Sequence, residues 1–91
     1  MYPVRPNCYY TYVLTGETNK KVYIGATSDL KTRIKLHNKG LVYSTKLWKP
    51  LRLIYFEACL KQDDAYRRER YLKTGMGRRY LKNRLTGGLT G

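Results

Sequence analysis

Acidic residues are scarce in this chain: six Asp and Glu face nineteen Lys and Arg in 91 residues, a formal net charge of +13. Self-repulsion on that scale costs stability and calls for a polyanionic partner. Nucleic acid is the first candidate and an anionic membrane surface the second. The membrane reading lacks its own signature: there is no basic amphipathic helix with a wide apolar face, no long apolar run and no secretory signal. Cysteine is scarce too. Cys8 and Cys59 stand apart, with no CxxC pair and no nearby pair of histidines. That pattern argues against zinc and for reduced core thiols in a cytoplasmic protein. Trp and Phe occur once each, so the aromatic content is almost all tyrosine, with ten residues. A buried tyrosine must find a partner for its hydroxyl, which makes it a poor core filler and a good lining for a wet site.

The length allows one domain with one modest core, expected over about 8–85. Residues 1–7 read as a lead-in and "TGGLTG", 86–91, as a flexible tail. "CYYTYVL" from Cys8 predicts a strand, "TGETNKK" a hairpin loop, and Val22–Ala26 a second, antiparallel strand. Ser28 is placed to cap a helix over Asp29–Asn38, with Gly40 at its exit. "LVYSTKLWKP" reads as a basic loop and "LRLIYFEA" as a third strand. A second helix, capped by Asp63 or Asp64, is expected to reach Thr74. Gly75 and Gly77 are expected to break it before a short third helix over Arg78–Leu85. The order ββαβαα with a three-stranded antiparallel sheet predicts an α+β sandwich.

Both long helices carry ionisable residues on their apolar faces. Leu30 and Ile34 define the stripe of the first, and Arg33 and His37, also four apart, lie beside it. In the second, Glu69 interrupts the line of Ala65, Leu72 and Met76. Burying such charges costs several kcal/mol unless they are paired or open into a cleft. The structural alternative is an Arg33–Glu69 ion pair with a satisfied histidine nearby. The functional one is a cleft in which a carboxylate, an arginine, an imidazole and phenols act on a phosphate.

Taken together these residues resemble the GIY-YIG endonuclease superfamily. Tyr12 in "YTYVL" corresponds to the tyrosine of the first family motif, and Tyr23-Ile24-Gly25 reproduces the second in full. Tyr10-Thr11 stands where Gly-Ile is named. Arg33 falls ten residues after Tyr23, at the position of the family's arginine, and His37 follows one turn later. "AYRRERYLK" resembles the helix of the small stand-alone branch, which is similar to the N-terminal nuclease domain of the excinuclease. Ala26 departs from the lysine often found in excinuclease-type members.

The resemblance implies a metal-dependent DNA endonuclease of low sequence specificity, with a role in repair or recombination. Tyr12, Tyr23, Arg33, His37 and Glu69 would be its catalytic set, and Glu69 the single protein ligand to Mg²⁺ or Mn²⁺. Tyr12 would orient or deprotonate water, with His37 as a relay, and Arg33 would stabilise the transition state. Lys46, Trp48, Lys49, Arg67, Lys73, Arg78, Arg79 and Asn83 are the expected nucleic-acid contacts. Trp48 is placed either to stack on a base or to cover the core. DNA is the expected partner and the chain is taken as a monomer. Two other readings share the charge: a catalytically silent nucleic-acid-binding module on the same scaffold, and a basic protein–protein or ribosome-associated adaptor. The charge predicts DNA affinity that falls steeply with salt and depends little on sequence, which a titration at increasing salt checks.

Overall fold

The computed structural model describes residues 8–85. Three strands, β1 (Tyr9–Gly16), β2 (Val22–Thr27) and β3 (Leu51–Cys59), form one antiparallel sheet in the order β2-β1-β3. Helix α1 (Leu30–Asn38) follows β2, and α2 (Gln62–Leu72) and α3 (Gly75–Arg84) follow β3, giving the expected ββαβαα α+β order. β1 is the central strand, and alternation along it divides the core. Tyr10, Tyr12 and Leu14 pack with Leu30 and Ile34 of α1, while Val13 packs with Ile24, Leu72 and Leu81. The sheet therefore lies between α1 on one side and α2 with α3 on the other.

A bulge in β3 serves both sides. Val13 pairs with Tyr55 but Leu14 with Leu53, so Ile54 is the extra residue. As a result Leu53 and Phe56 meet the α1 side while consecutive Ile54 and Tyr55 meet the other. Behind β3, Arg68 of α2 grips Glu57 with Nε at 2.9 Å from Oε1 and Nη2 at 3.0 Å from Oε2. The guanidinium lies 5.1 Å from the Tyr71 ring and 4.7 Å from the Tyr80 ring. This clamp joins strand and both helices of that layer.

Several sequence expectations shift at element ends. Asp29, rather than Ser28, caps α1, its carboxylate accepting from the Thr32 amide at 3.2 Å. Asp63 and Asp64 lie inside the first turn of α2, whose N-cap position is Lys61. There they favour the positive end of the helix dipole without capping it. α2 ends at Leu72, and Gly75 and Gly77 open α3 instead of preceding it, with Thr74 as cap to the Gly77 amide at 3.1 Å. Met76 is consequently on α3 and 68% exposed, not on the buried stripe of α2. A 3₁₀ turn at Tyr43–Thr45 sits in the segment expected to be loop. The lead-in 1–7 and the tail 86–91 lie outside the described residues. No described helix is long and apolar enough to cross a membrane.

Gly77 shows why α3 can begin so soon after α2. A Cβ there would run into the Tyr71 carbonyl oxygen and stand 2.5 Å from the Leu72 Cα, both of them backbone. Gly77→Ala is expected to destabilise the domain by about 1–3 kcal/mol through overpacking, read as a lowered melting temperature.

Candidate active site

Tyr12 occupies the middle of the central strand, opposite Gly25 of β2. A Cβ on Gly25 would lie 2.6 Å from the Tyr12 hydroxyl oxygen and 3.0 Å from Cε2 of Tyr23. The missing side chain is what lets both phenol rings lean over β2. α1 then presents His37 and Arg33 to them from the layer above. The Tyr23 and His37 rings are 4.9 Å apart, and the Tyr12 and Tyr23 rings 6.2 Å.

His37 is fully buried with both ring nitrogens engaged. Nε2 is 3.0 Å from the Tyr12 oxygen and Nδ1 is 2.7 Å from Oγ1 of Thr45, which is also buried. The tautomer follows from the neighbours. Tyr12 is buried and its proton needs an acceptor. Arg33 can only donate, whereas Nε2 lies within reach. The Tyr12 O–H therefore donates to Nε2, and the Nδ1–H donates to Thr45. Burial, and then the Arg33 charge, lower the His37 pKa to about 4, so the ring is neutral at pH 7. Burial pushes the Tyr12 phenol up to about 12, against the opposing pull of Arg33. The phenol thus stays protonated, with a neutral base on its hydroxyl.

Arg33 is half-buried, and its pKa is raised chiefly by contact with the Tyr12 hydroxyl. Among the described residues its buried Nε has no hydrogen-bond acceptor. The Arg33–Glu69 ion pair weighed from the sequence does not form. Glu69 instead pairs with Lys73 one turn on, at 2.8 Å. It stands on α2, across the sheet from α1, and its charge still acts on Tyr12. No group of three His, Cys, Asp or Glu side chains that could cage a metal is present among the described residues. A hard divalent ion that keeps most of its waters needs less: one carboxylate together with substrate phosphate oxygens. Glu69 fits that role, with Lys73 as its present counter-charge.

The structure therefore gathers Tyr12, Tyr23, Arg33 and His37 in one cluster, with Glu69 on α2 near enough for its charge to act on Tyr12. The expected nucleic-acid contacts are distributed differently. Trp48 packs half-buried on the core cluster of α1, with the Lys21 ammonium 6.0 Å from its ring. Lys46 is exposed, 4.5 Å from the Tyr43 ring, and Lys49 is exposed nearby. Arg67 is exposed and bridges to Asp64 at 3.2 Å. Arg78, Arg79 and Asn83 are exposed on α3, and no described contact joins Asn83 to the Tyr12 cluster. Thr45 has no counterpart among the expected site residues. It lies in a stretch that reads as basic loop, and only the 3₁₀ turn brings it under His37.

A pH dependence follows from the buried imidazole. Its pKa is 6.5 when exposed and about 4 in the fold, so below 6.5 the unfolded chain takes up the proton first. Stability is expected to fall as pH drops from 6.5 to about 4, with a contribution on the order of 2–3 kcal/mol from this residue. Melting curves across that range check it, and His37→Gln should flatten the slope in that window.

The GIY-YIG catalytic domain profile matches residues 8–83. A UPF0213 protein of Staphylococcus haemolyticus is 36% identical over 76 residues, covering 81% of this chain and 90% of its own length. One from Clostridium perfringens is 37% identical over 65 residues, covering 70% of this chain and 69% of its own. The UPF0213 protein YazA of Bacillus subtilis is 38% identical over 69 residues, covering 74% and 68%. No solved structure matches significantly. With the motif tyrosines facing each other across Gly25 and the profile spanning nearly all the described residues, the chain belongs to the GIY-YIG catalytic domain family, a family of endonucleases.

Proposed function

We propose that this protein is a divalent-metal-dependent endonuclease that hydrolyses phosphodiester bonds in DNA with little sequence preference, acting in the cytoplasm in repair or recombination. The observation that carries the reading is the hydroxyl of Tyr12, which donates to a neutral His37 beside an arginine whose buried Nε has no partner. A phosphate oxygen is the acceptor that such a donor suits.

Tyr12 is fully covered in the free protein, while Tyr23, Arg33 and Glu69 keep partial exposure. A phosphate entering the site meets Arg33 first. Drawing the guanidinium onto the phosphate uncovers the Tyr12 hydroxyl for the attacking water. As the water oxygen bonds to phosphorus, its proton passes to the Tyr12 oxygen and the Tyr12 proton passes to Nε2 of His37. The depressed His37 pKa keeps the base free at neutral pH, and the negative charge gathering on the phosphate offsets the repulsion between imidazolium and Arg33. Thr45 holds the Nδ1–H so that Nε2 always faces Tyr12. A Mg²⁺ or Mn²⁺ ion held by Glu69 and the substrate would supply charge stabilisation at the leaving 3′ oxygen. As the new bond to phosphorus forms the P–O3′ bond breaks, the departing 3′ oxygen takes a proton from solvent water and His37 returns its own to solvent, so that the products are a 5′ phosphate and a 3′ hydroxyl.

The exposed Lys46, Lys49, Arg78 and Arg79 extend the positive surface for the flanking backbone. The silent binding module remains the competing reading, and Glu69 separates the two. Branched, nicked, single-stranded and duplex DNA are incubated with and without Mg²⁺. Wild type is expected to cut only with the metal, and Glu69→Gln to bind without cutting. Arg33→Ala is expected to lose cleavage by at least about a hundredfold, with thermal stability nearly unchanged because Arg33 forms no ion pair among the described residues. Loss of folding in Arg33→Ala, or full cleavage by Glu69→Gln, would overturn the assignment.

A further inference from the structure

Beside Arg33 the surface opens into a cavity of about 290 Å³, lined by Tyr9, Thr27, Ser28, Gln62 and Tyr66 together with Arg33. Its other lining residues are Ala26 and Ala65. It lies where the end of β2 meets the N-terminal halves of α1 and α2. Two alanines create the space. Ala65 is fully buried against β1, its carbonyl accepting from the Thr11 hydroxyl at 2.8 Å, so α2 comes close to the sheet there. Ala26 leaves the gap above it unfilled.

The lining specifies a ligand. Arg33 is the one cation in it, and the remaining polar groups are neutral: two phenols, two hydroxyls and an amide. The Gln62 side chain donates from Nε2 to the Tyr66 oxygen at 3.1 Å, which fixes the amide along the wall and leaves its carbonyl oxygen to accept. A second phosphate would find too little charge here. A flat, neutral group with donors and acceptors on its edge finds hydroxyls and an amide to bond. The volume is at the lower limit of small-molecule sites, about 300 Å³, so one ring system fits and a base pair does not.

We infer that this cavity holds an unpaired nucleobase next to the phosphate engaged by Arg33, and that the enzyme therefore acts on strands that are single or locally opened. The inference rests on the nuclease reading for the placement of the phosphate. Selection at this point is for the absence of a pairing partner, because the edge groups that these hydroxyls and the amide would meet are free only on an unpaired base.

Binding tests it on the intact chain carrying Glu69→Gln, so that no strand is cut. The probes are a short oligothymidylate, the same strand with its bases removed, and a blunt duplex. Oligothymidylate is expected to bind about tenfold more tightly than the abasic strand and to shift the NMR signals of the Gln62 side-chain amide, the only glutamine in the chain. The duplex should leave those signals in place. Ala26→Leu, which fills the cavity, and Tyr66→Ala should each abolish the tenfold preference and leave abasic-strand binding unchanged. Should Ala26→Leu fail to fold, Gln62→Ala at the exposed start of α2 carries the same comparison. Equal affinity for intact and abasic strands, or a preference that survives these substitutions, overturns the inference. Neither result depends on cleavage. A wild-type protein that cuts no DNA with Mg²⁺ would instead overturn the nuclease reading.

Discussion

The site is organised by the need of one buried hydroxyl for a partner. Tyr12 sits at the centre of the sheet with no solvent to receive its proton. An unsatisfied hydroxyl there would cost about 1–3 kcal/mol, so a base has to be built over it. His37 is that base, and it has a second nitrogen to satisfy, which brings in Thr45. One strand residue therefore sets the facing side of α1 and the fold-back of the turn after it. Gly25 completes the arrangement from below, since a methyl group at that point would occupy the space of the phenol. Stability and chemistry draw on the same contacts here: the bonds that bury Tyr12 are those that hold a neutral base on its oxygen.

The opposite layer solves a different problem. Its polar groups close on one another: Glu57 takes three bonds from Arg68 and one from Tyr55, and Tyr55 also meets Tyr80. Each of these groups already has its partner within the network. The contrast with Arg33, whose Nε has none among the described residues, sets the two arginines apart more clearly than burial does. Both arginines are half-buried and both touch tyrosines.

Much of this is legible in the sequence because the informative contacts are local or periodic. Alternation in "CYYTYVL" divides the core, and the spacing of Leu30, Arg33, Ile34 and His37 puts base and cation on the inner side of α1. The motif spacing brings Tyr12 and Tyr23 together. Periodicity misleads at the join of α2 and α3: Met76 continues the stripe of α2 on paper, but the chain turns at Thr74 and carries it to the surface. Glycine there marks a close approach of two helices, not a break. The partner of Glu69 is hard to read because a carboxylate on an apolar stripe has several basic residues within reach. Lys73, four residues along, needs no tertiary contact to find it. Thr45 leaves no local signal, because its role depends on a 3₁₀ turn returning the chain beneath α1. The cavity at Ala26 and Ala65 is likewise silent, since small residues at a gap look the same in sequence as small residues in a tight core.

The single histidine has a consequence for how this protein can be watched. Its imidazole is held at both nitrogens, and no second imidazole exists in the chain to overlap its signals. The two ring nitrogens therefore form a native spectroscopic label within the Tyr12 cluster. One of them senses the Tyr12 phenol, and the other senses Thr45 in the basic segment between α1 and β3. A ligand that reaches the cleft and one that only disturbs that segment will leave different traces on the same ring.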